Sequence, residues 1–395
     1  MDTLTRRMFL AASGVAVAAG TTLSLADLLR AGKENPLPPG AGILVLVTLY
    51  GGNDALNTLV PYADPAYHDA RPELAYSEQE VLHLDADLGL NPALKGHKRL
   101  WDSGKLAIVR GVSYPRPNRS HFASMDIWQT ASPGSPATSG WIGRWLDHNG
   151  RDPISAVSVG ATLPPLMAGE TTAGAALPLG GFDLPTGALG RGLQGLAAAQ
   201  PGDLPLRAAC ATAYANLLRA DRTLGPALSQ STVDDGDRPE GGGALAAQLD
   251  QVARCVEAGV PTRVYAVSLG GFDTHAGEKG TQSALLSEVD TALTAFHDRV
   301  RDRNVVTATY SEFGRRVHAN ASDGTDHGTA GVVLIAGNPI RGGFRGDQPS
   351  LTDLDDNGDL KPTTDFRDVY AALLGQVLGT DPAQVVSASN PLQLT

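Results

Sequence analysis

Five short polar clusters hold the residue types that could do chemistry in this chain. They are Tyr50-Gly51-Gly52-Asn53-Asp54, Arg119-Ser120-His121-Phe122, Gly270-Gly271-Phe272-Asp273-Thr274-His275, Ser311-Glu312-Phe313-Gly314-Arg315 and Gly324-Thr325-Asp326-His327-Gly328. Asp273 with His275, and Asp326 beside His327, offer two carboxylate–imidazole pairs, and Asp54 and Glu312 add hard oxygen donors. Mixed nitrogen and oxygen sets suit a divalent zinc, manganese or iron ion better than calcium, which prefers oxygen alone. Ser120 stands next to His121 as a candidate nucleophile, although the same serine opens a helix-like stretch and would serve as its N-cap. Arg119 and Arg315 could each clamp an anionic group bidentately, or close an ordinary surface salt bridge. One Asp-x-His alone carries little weight; five clusters at one edge of one sheet carry much more.

The elements that must position them are legible as apolar runs. Residues 43–49, 106–109, 264–269, 305–310 and 332–336 are rich in Val, Ile and Leu without strict alternation, the pattern of strands covered on both faces. Leu286, Val289, Leu293, Phe296 and Val300 recur at helical spacing between two of these runs, and 208–218, 244–256 and 366–378 read similarly. Alternating strands and helices predict an α/β fold with a doubly wound, mostly parallel sheet and helices on both faces. Ligands of such sheets bind beyond the C-terminal strand ends, where the clusters fall. Residues 132–202, dense in Gly, Pro, Ala and Thr, read as a cap insertion, and 229–243 as a solvated acidic loop. Trp128, Trp141 and Trp145 read as packing residues.

Composition narrows the partners. A formal net charge of -11 argues against a nucleic-acid or anionic-membrane surface, but leaves open a phosphorylated substrate held through a metal. Cys210 and Cys255 are the only cysteines, too few for a disulfide framework; they could form one bond or remain buried thiols. At the N-terminus, Arg6-Arg7 precedes a weakly apolar segment from Met8 to Ala19, with Ser24-Leu25-Ala26 as a small-x-small cleavage triplet. This is the anatomy of a twin-arginine export signal over 1–32, read by the translocon and followed by a domain over 33–395. Membrane attachment is expected only if that signal stays uncleaved.

Gly-Gly-Asn-Asp-x-Leu-Asn-Thr at 51–58, the four motifs at 119–122, 270–275, 311–315 and 324–328, and Thr364-Asp365-Phe366-Arg367-Asp368-Val369-Tyr370 together resemble the DUF1501 proteins. Those are exported bacterial proteins, distantly similar to the alkaline phosphatase and sulfatase superfamily. The resemblance implies that Asp54, Asp326 and His327 hold one metal, that Asp273 and His275 hold a second, and that Ser120 is the nucleophile. Two departures stand out. The Asp/His pair is separated by one residue where the superfamily has three, and no histidine follows His327, so His121 or Glu312 would have to replace the last ligand.

The expected function is therefore exported, metal-dependent hydrolysis of a phosphate or sulfate ester, on a small molecule or a polymer. The alternative is a non-catalytic envelope protein that keeps the fold and a structural metal. Replacing Arg6 and Arg7 by Lys is expected to trap the precursor in the cytoplasm, because the arginine pair is read as an address. Cell fractionation measures this, and a double variant exported at the normal rate would contradict it.

Overall fold

A computed structural model describes residues 21–135, 137–179 and 243–395. The chain divides into two compact units. One comprises Gly40–Ser135, Gly242–Leu249 and Val267–Thr395, and the other Met1–Pro39, Pro136–Gly241 and Asp250–Ala266. All ten candidate site residues lie in the first.

That unit is built on β1 (Ile43–Leu49), β2 (Leu106–Ser113), the end of β3 (Val264–Leu269), β4 (Val305–Tyr310) and β5 (Gly331–Gly337). Every residue of β1 and β4 is buried, as continuous apolar runs require of strands covered on both faces. β1 and β4 pair in parallel from Ile43↔Val305 to Thr48↔Tyr310. β5 pairs antiparallel with both β4 and β2. Two short strands, Gly343–Arg345 and Thr364–Asp365, then run parallel to β2. The sheet is mostly parallel and the fold is α/β.

The single reversed strand matters for the site. β1, β2 and β4 point one way, so their C-terminal ends share an edge. Because β5 is reversed, the loop that precedes it, carrying Asp326 and His327, opens on that same edge.

Two helices follow site loops, α1 (His121–Thr130) and α2 (Glu278–Arg299), and α3 (Phe366–Ala372) follows the strand Thr364–Asp365. α2 carries the periodic Leu286, Val289, Leu293 and Phe296 on its buried side. The pattern expected to run to 378 leaves α-helical geometry at Leu373, where five residues form a π-helical turn. Trp128 anchors α1 to the sheet and to α3: its ring stacks on Tyr310 at 5.1 Å and on Phe366 at 4.7 Å between centroids. It is a packing residue, as are the buried Trp141 and Trp145 of the other unit.

In that other unit, Thr21–Thr22, Ala156–Val159, Ala175–Leu177 and the beginning of β3 pair in parallel. The stretch expected as a loop-rich cap therefore contributes a helix (Trp141–His148) and two strands over 137–179. Short Val/Ala strands between Gly and Pro give too weak a compositional signal to be read beforehand. The rest of the expected cap, the acidic loop, the 208–218 helix and Cys210 lie outside the described residues. Cys255 is buried, and burial pushes its thiol up to about 12.

The segment after Gly20 also differs from expectation. Thr21 and Thr22 pair with Ala175 and Ala176, and Leu23 N donates to Ala176 O at 2.8 Å. Ser24 then opens the helix Leu25–Glu34 with a complete capping box closed by Asp27, and Leu28 is fully buried. A cut at Ser24-Leu25-Ala26 would remove the strand and the cap together. If the export segment is removed, the cut is expected upstream of Thr21, where Ala16-Val17-Ala18 also reads small-x-small. N-terminal sequencing of exported protein decides this; a mature chain beginning at Asp27 would contradict it.

Candidate metal centre

The site grows from the turns that end β1, β3 and β4. Gly51, at φ +119°, lets the first turn pass so close to the third cluster that a Cβ there would lie 2.4 Å from Asp273 N. Gly51 N donates to Glu312 Oε1 at 3.0 Å, and Tyr50 N to Leu269 O at 2.9 Å, so the three turns are stitched together. Arg315 completes the stitching. Its side chain is fully buried and donates to the carbonyls of Gly51, Gly52, Phe272 and Thr325, and to Asp273 Oδ1 at 2.8 Å.

Asp273 Oδ1 is the meeting point. His275 Nε2 lies 3.0 Å from it, His327 Nε2 3.1 Å and His121 Nε2 3.4 Å, with His275 and His327 Nε2 themselves 3.0 Å apart. Burial raises the Asp273 carboxyl, but the hydrogen bond and charge of Arg315 outweigh it and hold the group at about 2. It is a carboxylate at any ordinary pH. Phe313 walls one side, 4.9 Å from the His121 ring and 5.0 Å from His327.

The far nitrogen of each imidazole faces an oxygen. His121 Nδ1 meets Glu312 Oε1 at 2.7 Å, His275 Nδ1 meets Asp326 Oδ1 at 3.2 Å, and His327 Nδ1 meets the Arg119 carbonyl at 2.8 Å. A carbonyl or carboxylate oxygen only accepts, so the proton of each neutral ring sits on Nδ1. Three Nε2 lone pairs and one carboxylate oxygen then converge, which is repulsive unless protons or a cation lie among them. His121 Nε2 is buried and makes no hydrogen bond. Ligands at ~2.0–2.1 Å around one ion stand ~3.3–3.4 Å apart, close to the Asp273–His121 and Asp273–His327 spacings. The charge also fits: Asp273, Glu312 and Asp326 against Arg315 leave two negative charges, the complement of a dication. His121, Asp273 and His327 form a group able to hold a metal ion. Its donors are imidazole nitrogen and carboxylate oxygen.

The roles differ from those expected. Glu312 and Asp326 stand behind the imidazoles rather than among the converging atoms. Hydrogen bonds from His121 outweigh burial in holding Glu312 below its usual range, and those from Asn320 and His275 do the same for Asp326. Glu312 in turn raises His121. Arg315 is spent on carbonyls and Asp273, and Arg119 pairs with Asp359, so neither guanidinium is free to clamp an anion. Ser120 sits between Arg119 and His121 at the N-cap of α1, yet its hydroxyl makes no capping bond. The helix-cap reading thereby loses its hydrogen bond.

Asp54 does not join the convergence. It is fully buried in an ion pair with Arg71, Arg71 Nη2 lying 3.1 Å from Asp54 Oδ1, and Leu56 N also donates to it. Burial raises the Asp54 carboxyl, but Arg71 brings it below its usual range. A guanidinium occupies the side of the carboxylate where a second cation would have to sit. Glu278, absent from the expected set, completes the group: burial and the Asp54 charge push it up to about 9, and Thr325 Oγ1 donates to it. Neither Arg71 nor Glu278 lies in a recognisable motif. Phe313 lies within the fourth cluster, and Asn320 Nδ2 also donates to the His275 carbonyl at 3.0 Å.

Residues 246–392 match the family model described as a protein of unknown function, DUF1501. Over that stretch the chain is DUF1501-like, as its motifs indicate. The DUF1501 match carries Asp273, His275, Glu312, Arg315, Asp326 and His327, while Asp54, Arg119, Ser120 and His121 precede it. No curated protein matches the chain. Among solved structures, a protein in the alkaline phosphatase superfamily from Vibrio parahaemolyticus is similar at 12% identity and a TM-score of 0.39, covering 93% of this chain and 78% of that one. The C-terminal periplasmic domain of EcEptC from Escherichia coli, in complex with Zn, is similar at 10% identity and a TM-score of 0.37, covering 76% and 77%. No helix among the described residues is long and apolar enough to cross a membrane.

Glu278 gives a pH test free of the metal ligands. Its folded value lies above the ~4.5 of the unfolded chain, so between ~4.5 and about 9 the folded state holds the extra proton. Stability therefore falls as pH rises through that window, by up to ~1.4 kcal/mol per unit, and levels off above it. Gln cannot ionise and keeps both an acceptor for Thr325 and a donor for Asp54. Glu278→Gln is expected to flatten the slope and exceed wild type in urea midpoint at pH 8; an unchanged slope would contradict it.

Proposed function

We propose that this chain is an exported, metal-dependent hydrolase of phosphate or sulfate esters. The observation that carries the reading is the convergence of three Nδ1-anchored imidazoles on Asp273 beside a serine whose hydroxyl is left uncapped. A divalent ion held by His121, Asp273, His275 and His327 would supply Lewis acidity to an ester oxygen and to the attacking hydroxyl. Ser120 offers that hydroxyl from the start of a helix, where the first N–H groups of α1 favour an anionic ester. With both arginines engaged elsewhere, this helix end is the chain's own contribution to anion binding. Arg315 and Glu312 act at one remove, fixing Asp273 and His121. Export by the twin-arginine translocon, after folding, belongs to the same proposal. The substrate is a small-molecule or polymer ester.

One observation favours the rival reading of a binding protein with a structural metal. Asp54, which the superfamily's order assigns to a metal, is locked by Arg71.

Elemental analysis and kinetics separate the two. Asp273→Ala and His327→Ala are each expected to lose bound metal and thermal stability, since a metal bound only by the folded state stabilises it by mass action. Ser120→Ala is expected to keep its metal and lose at least ~10²-fold in hydrolysis of an activated aryl phosphate or sulfate. Unchanged metal content in both ligand variants would remove the centre. A metallated wild type inert to phosphate and sulfate esters would leave the rival.

A further inference from the structure

A cleft of about 530 Å³ adjoins the centre, lined chiefly by Arg116, Asn118, Arg119, Thr329, Asp356 and Asn357. Its position follows from the backbone. Arg119 directly precedes Ser120, and its carbonyl accepts the His327 Nδ1 hydrogen bond; Thr329 lies two residues beyond His327. The wall of the cleft is thus the same chain that holds the candidate nucleophile and one imidazole.

The lining residues are mostly of polar type. Clefts of ~300–1,000 Å³ are mostly apolar with a few polar groups, whereas here Pro117 is the one apolar residue of the lining. Arg116 and Arg119 line the cleft together with Asp355 and Asp356, Arg119 lying 3.9 Å from Asp355, so the walls carry both donors and acceptors. A second anionic group would meet the aspartates, and a cationic one the arginines. Two of the polar groups, Asp355 and Arg119, are also fixed in place. Asp355 Oδ1 accepts from Asn357 N at 2.8 Å and Asp359 N at 2.9 Å, and Arg119 is tethered to the buried Asp359. A neutral ligand that both donates and accepts at many points matches such walls, and a preorganised site loses less entropy in holding it.

We propose that this cleft receives a polyhydroxylated leaving group, so that the substrate is a carbohydrate phosphate or sulfate ester. The proposal rests on the hydrolase reading for its chemistry but not for its binding. Asn118, Asp356 and Asn357 are the specificity-determining residues, acting on the sugar rather than on the reacting atoms.

The test compares esters with matched leaving groups on the metallated, full-length protein. Glucose 6-phosphate and hexyl phosphate both release a primary alkoxide, as do the corresponding sulfates. The sugar ester of the active pair is expected to be preferred at least ~10-fold in kcat/KM, the scale of one or two hydrogen bonds. Asp356→Ala with Asn357→Ala should collapse that preference, chiefly through KM, with metal content unchanged. Equal turnover of sugar and alkyl esters by wild type, or a preference untouched in the double variant, overturns the proposal. If metallated wild type hydrolyses none of them, the hydrolase reading fails and binding decides the cleft separately. Retention on an array of neutral oligosaccharides, weakened in the double variant, would support it; no retention of any neutral glycan would overturn it.

Discussion

The candidate centre depends on one buried guanidinium. Arg315 gathers carbonyls from the turn after β1, the turn after β3 and the loop before β5, and places its remaining charge on Asp273. Phe272 O also accepts from Thr274 N, but the carbonyls of Gly51, Gly52 and Thr325 would lose this donor, at ~1–3 kcal/mol for each left buried and unsatisfied. A planar fork with five donors can span such a set where an ammonium cannot, so lysine is no substitute. The arginine also sets the electrostatics of the site. By keeping Asp273 ionised, it preserves the carboxylate on which the three imidazoles converge. Geometry and charge come from the same residue.

Two acidic residues in neighbouring motifs meet opposite fates for the same reason. Asp273 stays half exposed, with imidazoles on its open side, and is available to a cation. Asp54 is sealed with Arg71, and the pair leaves no room for a second positive charge. Glu278 then remains neutral, because two carboxylates cannot both ionise around one guanidinium in a buried space. Glu278 holds Thr325 Oγ1, so this part of the unit is closed electrostatically while Asp273 is left open.

Much of this was legible in the sequence, and the boundary of legibility is physical. Val/Ile/Leu runs reveal β1, β3 and β4 because both faces are buried, and the motifs after them must then lie at one edge. His121, Asp273, His275 and His327 were all among the expected site residues. What spacing cannot give is which atom meets which. Arg71 lies 17 residues from Asp54 in a stretch with no periodic or motif signal, and its choice of partner is made by tertiary packing. Glu312 and Asp326 have the right chemistry for ligands, and only their positions behind the rings show that they orient rather than converge. The strands over 156–177 were missed because they are short and Ala-rich, built by pairing more than by side-chain propensity.

The three imidazoles are not equivalent, and the difference can be read from their anchors. His121 donates to Glu312, a carboxylate whose side chain is 1% exposed, so the pair is little screened by water. His275 donates to Asp326, equally charged but 57% exposed, where solvent competes for the hydrogen bond. His327 donates to a neutral carbonyl, which polarises a ring least. The anchors therefore grade from a buried charge through an exposed charge to a neutral carbonyl, and the most buried of them, Glu312, raises the His121 ring. The chain that carries His327, the ring with the uncharged anchor, runs on to Thr329 and the polar cleft. The group is thus asymmetric, an asymmetry that follows from which oxygen stands behind each ring.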